Sequence, residues 1–125
     1  MTENELSKIV IGEAIKVHQQ VGPGLLESAY ETCLAFHLDR LGLKVERQKS
    51  IPLVYEDLKM ECGFRCDLMI NGILIIEIKA IDQFDDIHIA EVLTYLKLTN
   101  TKLGLLLNFN VLKLKDGIKR VVNGL

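Results

Sequence analysis

Ile73-Leu74-Ile75-Ile76-Glu77-Ile78-Lys79-Ala80 is the stretch that decides how this chain folds. It is almost wholly apolar and rich in β-branched isoleucine, which describes a strand covered on both faces and therefore central in its sheet. Glu77 and Lys79 break that pattern, because a side-chain period of two places both on one face of an otherwise buried strand. An unpaired buried charge costs several kcal/mol, so the two must pair, face a cleft or hold a metal. A structural ion pair at a strand end satisfies this requirement as readily as an active site does.

Working outward, Asn71-Gly72 reads as a hairpin turn, and Met60 to Ile70 as the strand that precedes it. The register of this hairpin decides whether Asp67 joins Glu77. A two-residue turn pairs Ile70 with Ile73 and sets Asp67 opposite Ile76, on the wrong face. A three-residue loop of Ile70, Asn71 and Gly72, with Gly72 left-handed, pairs Met69 with Ile73. Asp67 then stands opposite Ile75 and diagonal to Glu77 on one face. We predict this bulged loop. Two carboxylates so placed, with room for water, suit a hard divalent cation such as Mg²⁺ or Mn²⁺. Lys79 beside them is suited to position or deprotonate a water, or to offset charge building on a phosphate.

After the central strand, Asp82 to Asp86 is a polar loop, Ile87 to Leu98 a helix, and Lys102 to Phe109 a strand whose GLLLNF core is again apolar. Strand, helix and strand in that order imply a right-handed crossover joining two parallel strands. Towards the N-terminus, Leu6, Val10, Ala14 and Val17 recur at helical spacing until VGPG at Val21 to Gly24 breaks the run. A second helix is predicted from Gly24 to Leu41, stopped by Gly42. Between Gly42 and the hairpin, KVERQKSIPLVYE alternates, with Pro52 marking an edge strand or a strand start. In the tail VLKLKDGIKRVV, Asp116-Gly117 between alternating segments predicts another hairpin. The whole is an α/β chain with a mixed sheet and helices packed on it.

Length and composition agree. The 125 residues, 49% apolar and 26% charged, suit one domain spanning 1–125 with a single core. No apolar run reaches the roughly 20 residues needed to cross a bilayer, and MTENELSKIV lacks the basic, apolar start of a signal peptide, so a cytoplasmic location is expected. Cys33, Cys62 and Cys66 are odd in number and fall inside predicted elements, which favours reduced thiols over a disulfide set. The net charge of −2 gives no global field to attract a polyanion. Local basic runs at Arg40, Lys44, Arg47 and Lys49, and at Lys113, Lys115, Lys119 and Arg120, read equally as solvated faces or as a phosphate track.

Asp67 followed by Glu77-Ile78-Lys79 resembles the D…(D/E)xK signature of the PD-(D/E)XK phosphodiesterase superfamily. Gly24-Leu25-Leu26-Glu27-Ser28-Ala29-Tyr30 is similar to the motif of the prokaryotic GxxExxY family within it. VERQKSIPLVY, HIAEVLTYLK and GLLLNFNVLKLKDGIKRVV extend the resemblance over nearly the whole chain. The resemblance implies a restriction-endonuclease-like core of helix, three antiparallel strands, helix and strand, a Mg²⁺ or Mn²⁺ site, and a nucleic-acid substrate. It assigns Asp67 and Glu77 as metal ligands, Lys79 as the catalytic lysine and Glu27 as a further carboxylate near the metal. Cys66 stands where the superfamily name has proline, and Glu91 and Thr94 stand where the family pattern has Gln and Asn.

Helical spacing places Glu27 with Tyr30, and His88 with Glu91 and Tyr95, on shared faces. Ordinary amphipathicity explains such stripes as well as substrate contact does. The leading expectation is a metal-dependent nuclease with Asp67, Glu77, Glu27 and Lys79 at its centre and Tyr30, His88, Glu91 and Tyr95 against the substrate. A catalytically silent binding or assembly module with a partner protein is the alternative, and nucleic-acid binding by the basic tail a third. A homodimer through the tail is expected from alternating Leu112, Leu114 and Val121 on the unpaired edges of a terminal hairpin.

Overall fold

The computed structural model describes residues 1–125 and folds them in the order α1 (Glu3–Val21), α2 (Glu27–Arg40), β1 (Val45–Tyr55), β2 (Leu58–Ile70), β3 (Leu74–Lys79), α3 (Asp86–Thr99), β4 (Leu103–Asn108) and β5 (Ile118–Val122). α1 starts where Thr2 and Glu5 form a reciprocal cap, each side chain accepting the other's backbone N–H at 3.1 and 3.2 Å. It ends at Gly22, whose φ of +70° few other residues tolerate.

The five strands lie in sequence order, β1-β2-β3-β4-β5, with β3 and β4 parallel and every other neighbouring pair antiparallel. The crossover through α3 is therefore as the apolar pattern predicted, and the fold is that expected of a restriction-endonuclease-like core. α1 and α2 cover one face. Leu6, Val10, Ala14 and Val17 from α1, with Tyr30, Leu34 and Leu38 from α2, pack on Leu74, Ile76, Ile78, Leu103, Leu105 and Leu107. α3 covers the other face, where Val92 and Leu96 meet Met69, Ile75, Leu106 and Val121. Gly104 makes that approach possible, since a Cβ there would lie 2.6 Å from Val92 Cγ1. No helix is long and apolar enough to cross a membrane.

The C-terminus differs from the expected turn at Asp116-Gly117. The hairpin is formed by β4 and β5 themselves, and Leu114–Gly117 is a short 3₁₀ helix in the connection between them. Leu114 enters the core, and Gly117 lies so close to the backbone of Asn108 that a methyl group would collide with the Asn108 carbonyl. Packing thus overrides the local turn signal. Gly117→Ala is expected to cost about 1–3 kcal/mol, read by urea unfolding. The argument for tail-mediated pairing also loses its residues, because Leu114 and Val121 are buried and only Leu112 stays exposed.

Alternation in β2 breaks beside the site acids. Leu68 and Ile70 belong to the core under α1 and α2, whereas Cys66 packs with Val92 and Leu96 on the α3 side. Residues two apart in a regular strand share a face, so the break falls at Asp67. Opposite it in β1, Gln48 has a φ of +46°.

Candidate active site

The β2–β3 ladder pairs Ile70 with Leu74, Met69 with Ile75 and Leu68 with Ile76, and there it stops. Beyond that point the strands separate and side chains replace carbonyls as acceptors. Asp67 N donates to Glu77 Oε2 at 2.8 Å, and Ile78 N donates to Asp67 Oδ2 at 2.8 Å. Each acid holds the other's strand. Continuing the register by one step puts Asp67 opposite Glu77, not Ile75, so the predicted loop was misplaced by one residue. Asn71 and Gly72 both have positive φ, and Ile73 N donates to Ile70 O at 3.1 Å, closing the tight turn that Asn-Gly favours. Ile73 is the extra residue before Leu74, and the loop is Asn71 to Ile73 in place of Ile70 to Gly72.

Glu77 is only 7% exposed. Burial, reinforced by the neighbouring charge of Asp67, pushes its carboxyl up to about 8, and Lys79 offsets this only in part. Lys79 ends β3 half-buried, and its ammonium takes no part in the five ion pairs of the chain. Glu27, the first residue of α2, reaches the end of the same strand and accepts Ala80 N at 2.9 Å. Asn108, buried at the end of β4, accepts Ile81 N at 3.1 Å and donates to Ile81 O at 2.9 Å. The amides of Ile78, Ala80 and Ile81 are thus all held by side chains, and the lysine between them sits on a fixed backbone.

Two further polar residues complete the cluster. Glu31, one helical turn after Glu27, is buried and accepts Arg47 Nε and Nη2 at 3.1 and 3.0 Å. Gln48 Nε2 donates to Glu31 Oε1 at 2.6 Å and to Asp67 Oδ1 at 3.2 Å. The sequence reading missed Glu31 and Gln48, although the spacing of four from Glu27 was a signal for the former. Glu27, Ser28, Glu31, Gln48 and Asp67 line an open cavity of about 400 Å³ without an apolar side chain. A larger cavity of about 590 Å³ between α1 and Leu112–Lys115 contains none of these acids and has no part in the site.

The expected substrate-facing residues divide. Tyr30 is fully buried, stacked on Phe109 at 4.3 Å, and its hydroxyl donates to Gly22 O at 2.6 Å while accepting Leu25 N at 3.0 Å. It secures the VGPG turn to α2 and offers no surface to a substrate, because the helical period gives a residue's face but not its depth. Tyr30→Phe is expected to lower stability by about 1–3 kcal/mol, as a drop in melting temperature, since two backbone groups lose their partner. His88 Nδ1 accepts Asp85 N at 2.9 Å and so caps the start of α3. Tyr95 lies near enough to Glu77, Glu91 and Asp67 to feel their charges. Burial, then the charges of Glu77, Glu91 and Asp67, raise the Tyr95 hydroxyl above its usual range. Its ring stacks on Phe64 at 4.3 Å.

No three His, Cys, Asp or Glu side chains already stand in a metal-holding arrangement. The chemistry of the donors nonetheless fits a hard cation: they are all carboxylates, Glu77 and Glu27 each hold an amide through Oε2, and burial with the charge of Asp67 disfavours a second carboxylate charge at Glu77 that a cation would offset.

The sequence pattern of the PD-(D/E)XK nuclease superfamily matches residues 4–121. The chain belongs to that superfamily. No curated protein and no solved structure matched it significantly. PD-(D/E)XK nucleases generally use divalent metals and act on nucleic acid, and the fold described above is consistent with theirs. In this PD-(D/E)XK chain the residue before the aspartate is Cys66, fully buried on the α3 side, with its thiol pushed up to about 12 mainly by burial. That thiol is a packing group and not a nucleophile.

Proposed function

We propose that this chain is a Mg²⁺- or Mn²⁺-dependent nuclease of the GxxExxY kind that hydrolyses phosphodiester bonds in DNA or RNA. The observation that carries the reading is the reciprocal lock of Asp67 and Glu77 where β2 and β3 part, with an untethered Lys79 one step further along the strand. Asp67 and Glu77 would hold the cation, and Glu27 supplies a third carboxylate at the same strand end. When bound, the metal supplies Lewis acidity to the phosphate and lowers the pKa of its water. The role of Lys79 is to orient the attacking water and to meet negative charge developing on the phosphoryl oxygens. Tyr95, one helical turn after Glu91 on α3, would border the site, where its hydroxyl is a neutral donor for a phosphate or sugar oxygen.

The GxxExxY motif also acquires a physical meaning. Gly24 takes a φ of +104°, Glu27 caps the catalytic strand, and Tyr30 fastens the turn. Incubating purified protein with Mg²⁺ or Mn²⁺ on single- and double-stranded DNA and RNA, beside Asp67→Ala and Lys79→Ala, tests the reading. Metal-dependent cleavage that both variants lack is the expected result. Cleavage persisting in both rejects it.

A further inference from the structure

Gln48 is unusual on two counts. It holds a left-handed φ of +46° within a strand, a conformation disfavoured for any residue with a Cβ. Its neighbours Arg47 and Lys49 pair regularly with Leu68 and Cys66, so the departure is confined to the residue facing Asp67. Strained backbone of this kind persists where surrounding contacts compensate for it. Here they involve the side chain: one amide nitrogen, with two N–H donors, bonds Glu31 Oε1 at 2.6 Å and Asp67 Oδ1 at 3.2 Å. Glu31 is a firm anchor, 6% exposed, with its second oxygen held by the Arg47 guanidinium. Asp67 therefore has one oxygen tied to α2 through Gln48 and the other tied to the Ile78 amide.

The chemistry of an amide suits this place. A lysine here would neutralise Asp67 and compete with a cation, and a glutamate would repel it. A neutral donor orients the carboxylate while leaving its charge in place. Arg47 cancels the Glu31 charge further back, so the anchor adds no net charge of its own.

We infer that Gln48 is a positioning residue, which sets the Asp67 carboxylate for metal capture by linking it to the Glu31–Arg47 pair. The inference rests on the reading of Asp67 as a metal ligand. It extends the site to α2 and β1, outside the D…(D/E)xK signature.

The test uses Gln48→Gly, which removes the side chain while accepting the left-handed backbone, and Gln48→Asn, which tolerates that backbone but is one methylene too short to bridge. Asp67→Ala runs in parallel on the full chain. Three quantities are read: Mn²⁺ affinity by calorimetry, hydrogen exchange of the Ile78 amide in metal-free protein by NMR, and melting temperature. Loss of an outer hydrogen bond to a metal ligand typically weakens binding about 10- to 100-fold. We expect that loss in both variants, with faster Ile78 exchange, and with Gln48→Gly melting at or above the parent temperature. Were the glycine variant not to fold, the asparagine variant gives the same readouts. Parental Mn²⁺ affinity and unchanged Ile78 exchange in the Gln48 variants, with binding lost in Asp67→Ala, overturn the role of Gln48. Should Asp67→Ala bind Mn²⁺ as the parent does, the metal reading itself has failed. In that case unchanged Ile78 exchange would reject Gln48 as a positioning residue as well.

Discussion

Lys79→Ala is expected to lower kcat for phosphodiester cleavage by about 10²- to 10³-fold, the range found when one preorganised charge-stabilising donor is removed from a site. Mn²⁺ affinity should remain near that of the parent, because the ammonium ties up none of the carboxylates and only partly offsets the charge of Glu77. Single-turnover kinetics with saturating metal, set beside calorimetry, separates the two effects. A variant that loses metal and activity in the same proportion would show that the lysine organises the acids and has no part in the chemistry. Lys79→Arg is a useful companion. It keeps the charge, but its broad, always protonated guanidinium cannot deprotonate water, so recovery of activity would favour charge stabilisation over general-base action.

In metal-free buffer the protein should become less stable as the pH rises from about 4.5 to about 8. Glu77 has an ordinary value of 4.5 and is pushed up to about 8 in the folded chain, first by burial and then by Asp67. Between those values the folded state binds a proton that the unfolded state has released, so each added pH unit favours unfolding by up to about 1.4 kcal/mol. The contribution is fully present below 4.5 and is lost as the pH passes 8, a fall of a few kcal/mol at most. Urea unfolding in chelator-treated buffer at pH 5.5 and 8.5 measures the slope. Glu77→Gln should flatten it and leave the variant the more stable of the two at pH 8.5. Mg²⁺ or Mn²⁺ should return stability to the parent at the higher pH, since a bound cation favours the ionised pair. An undiminished slope in the glutamine variant would place the titrating group elsewhere.

Much of the fold could be read from apolar patterning. The largely apolar stretches at 73–80 and 104–107 specified buried strands, and the helix between them specified their parallel arrangement. Leu6, Val10, Ala14 and Val17, the apolar stripe of α1, all lie in the core, joined on the buried face by Ser7 and His18. Proximity of Asp67 to Glu77 was also legible, although the reasoning from an unbroken hairpin register did not describe how it arises. The two acids meet because the ladder ends at Leu68 and Ile76 and because alternation breaks at Asp67. That break lies opposite the positive φ at Gln48, and glutamine carries no local preference that would announce it. Glu31 stayed hidden for a related reason: its partners lie 16 and 17 residues away on another element. Tyr30 was misjudged in the opposite direction, because a motif or a shared helix face cannot distinguish a substrate contact from a hydrogen bond that closes a turn.

The side chains proposed to grip the cation are also the clasps of the strand that carries the lysine. Asp67 closes the Ile78 amide and Glu27 the Ala80 amide, so stripping either to alanine unfastens the backbone on one side of Lys79. A loss of activity in such a variant would therefore also reflect a Lys79 free to drift. Variants that retain an oxygen acceptor, Asp67→Asn and Glu27→Gln, are the ones able to tell a missing ligand from a loosened hinge.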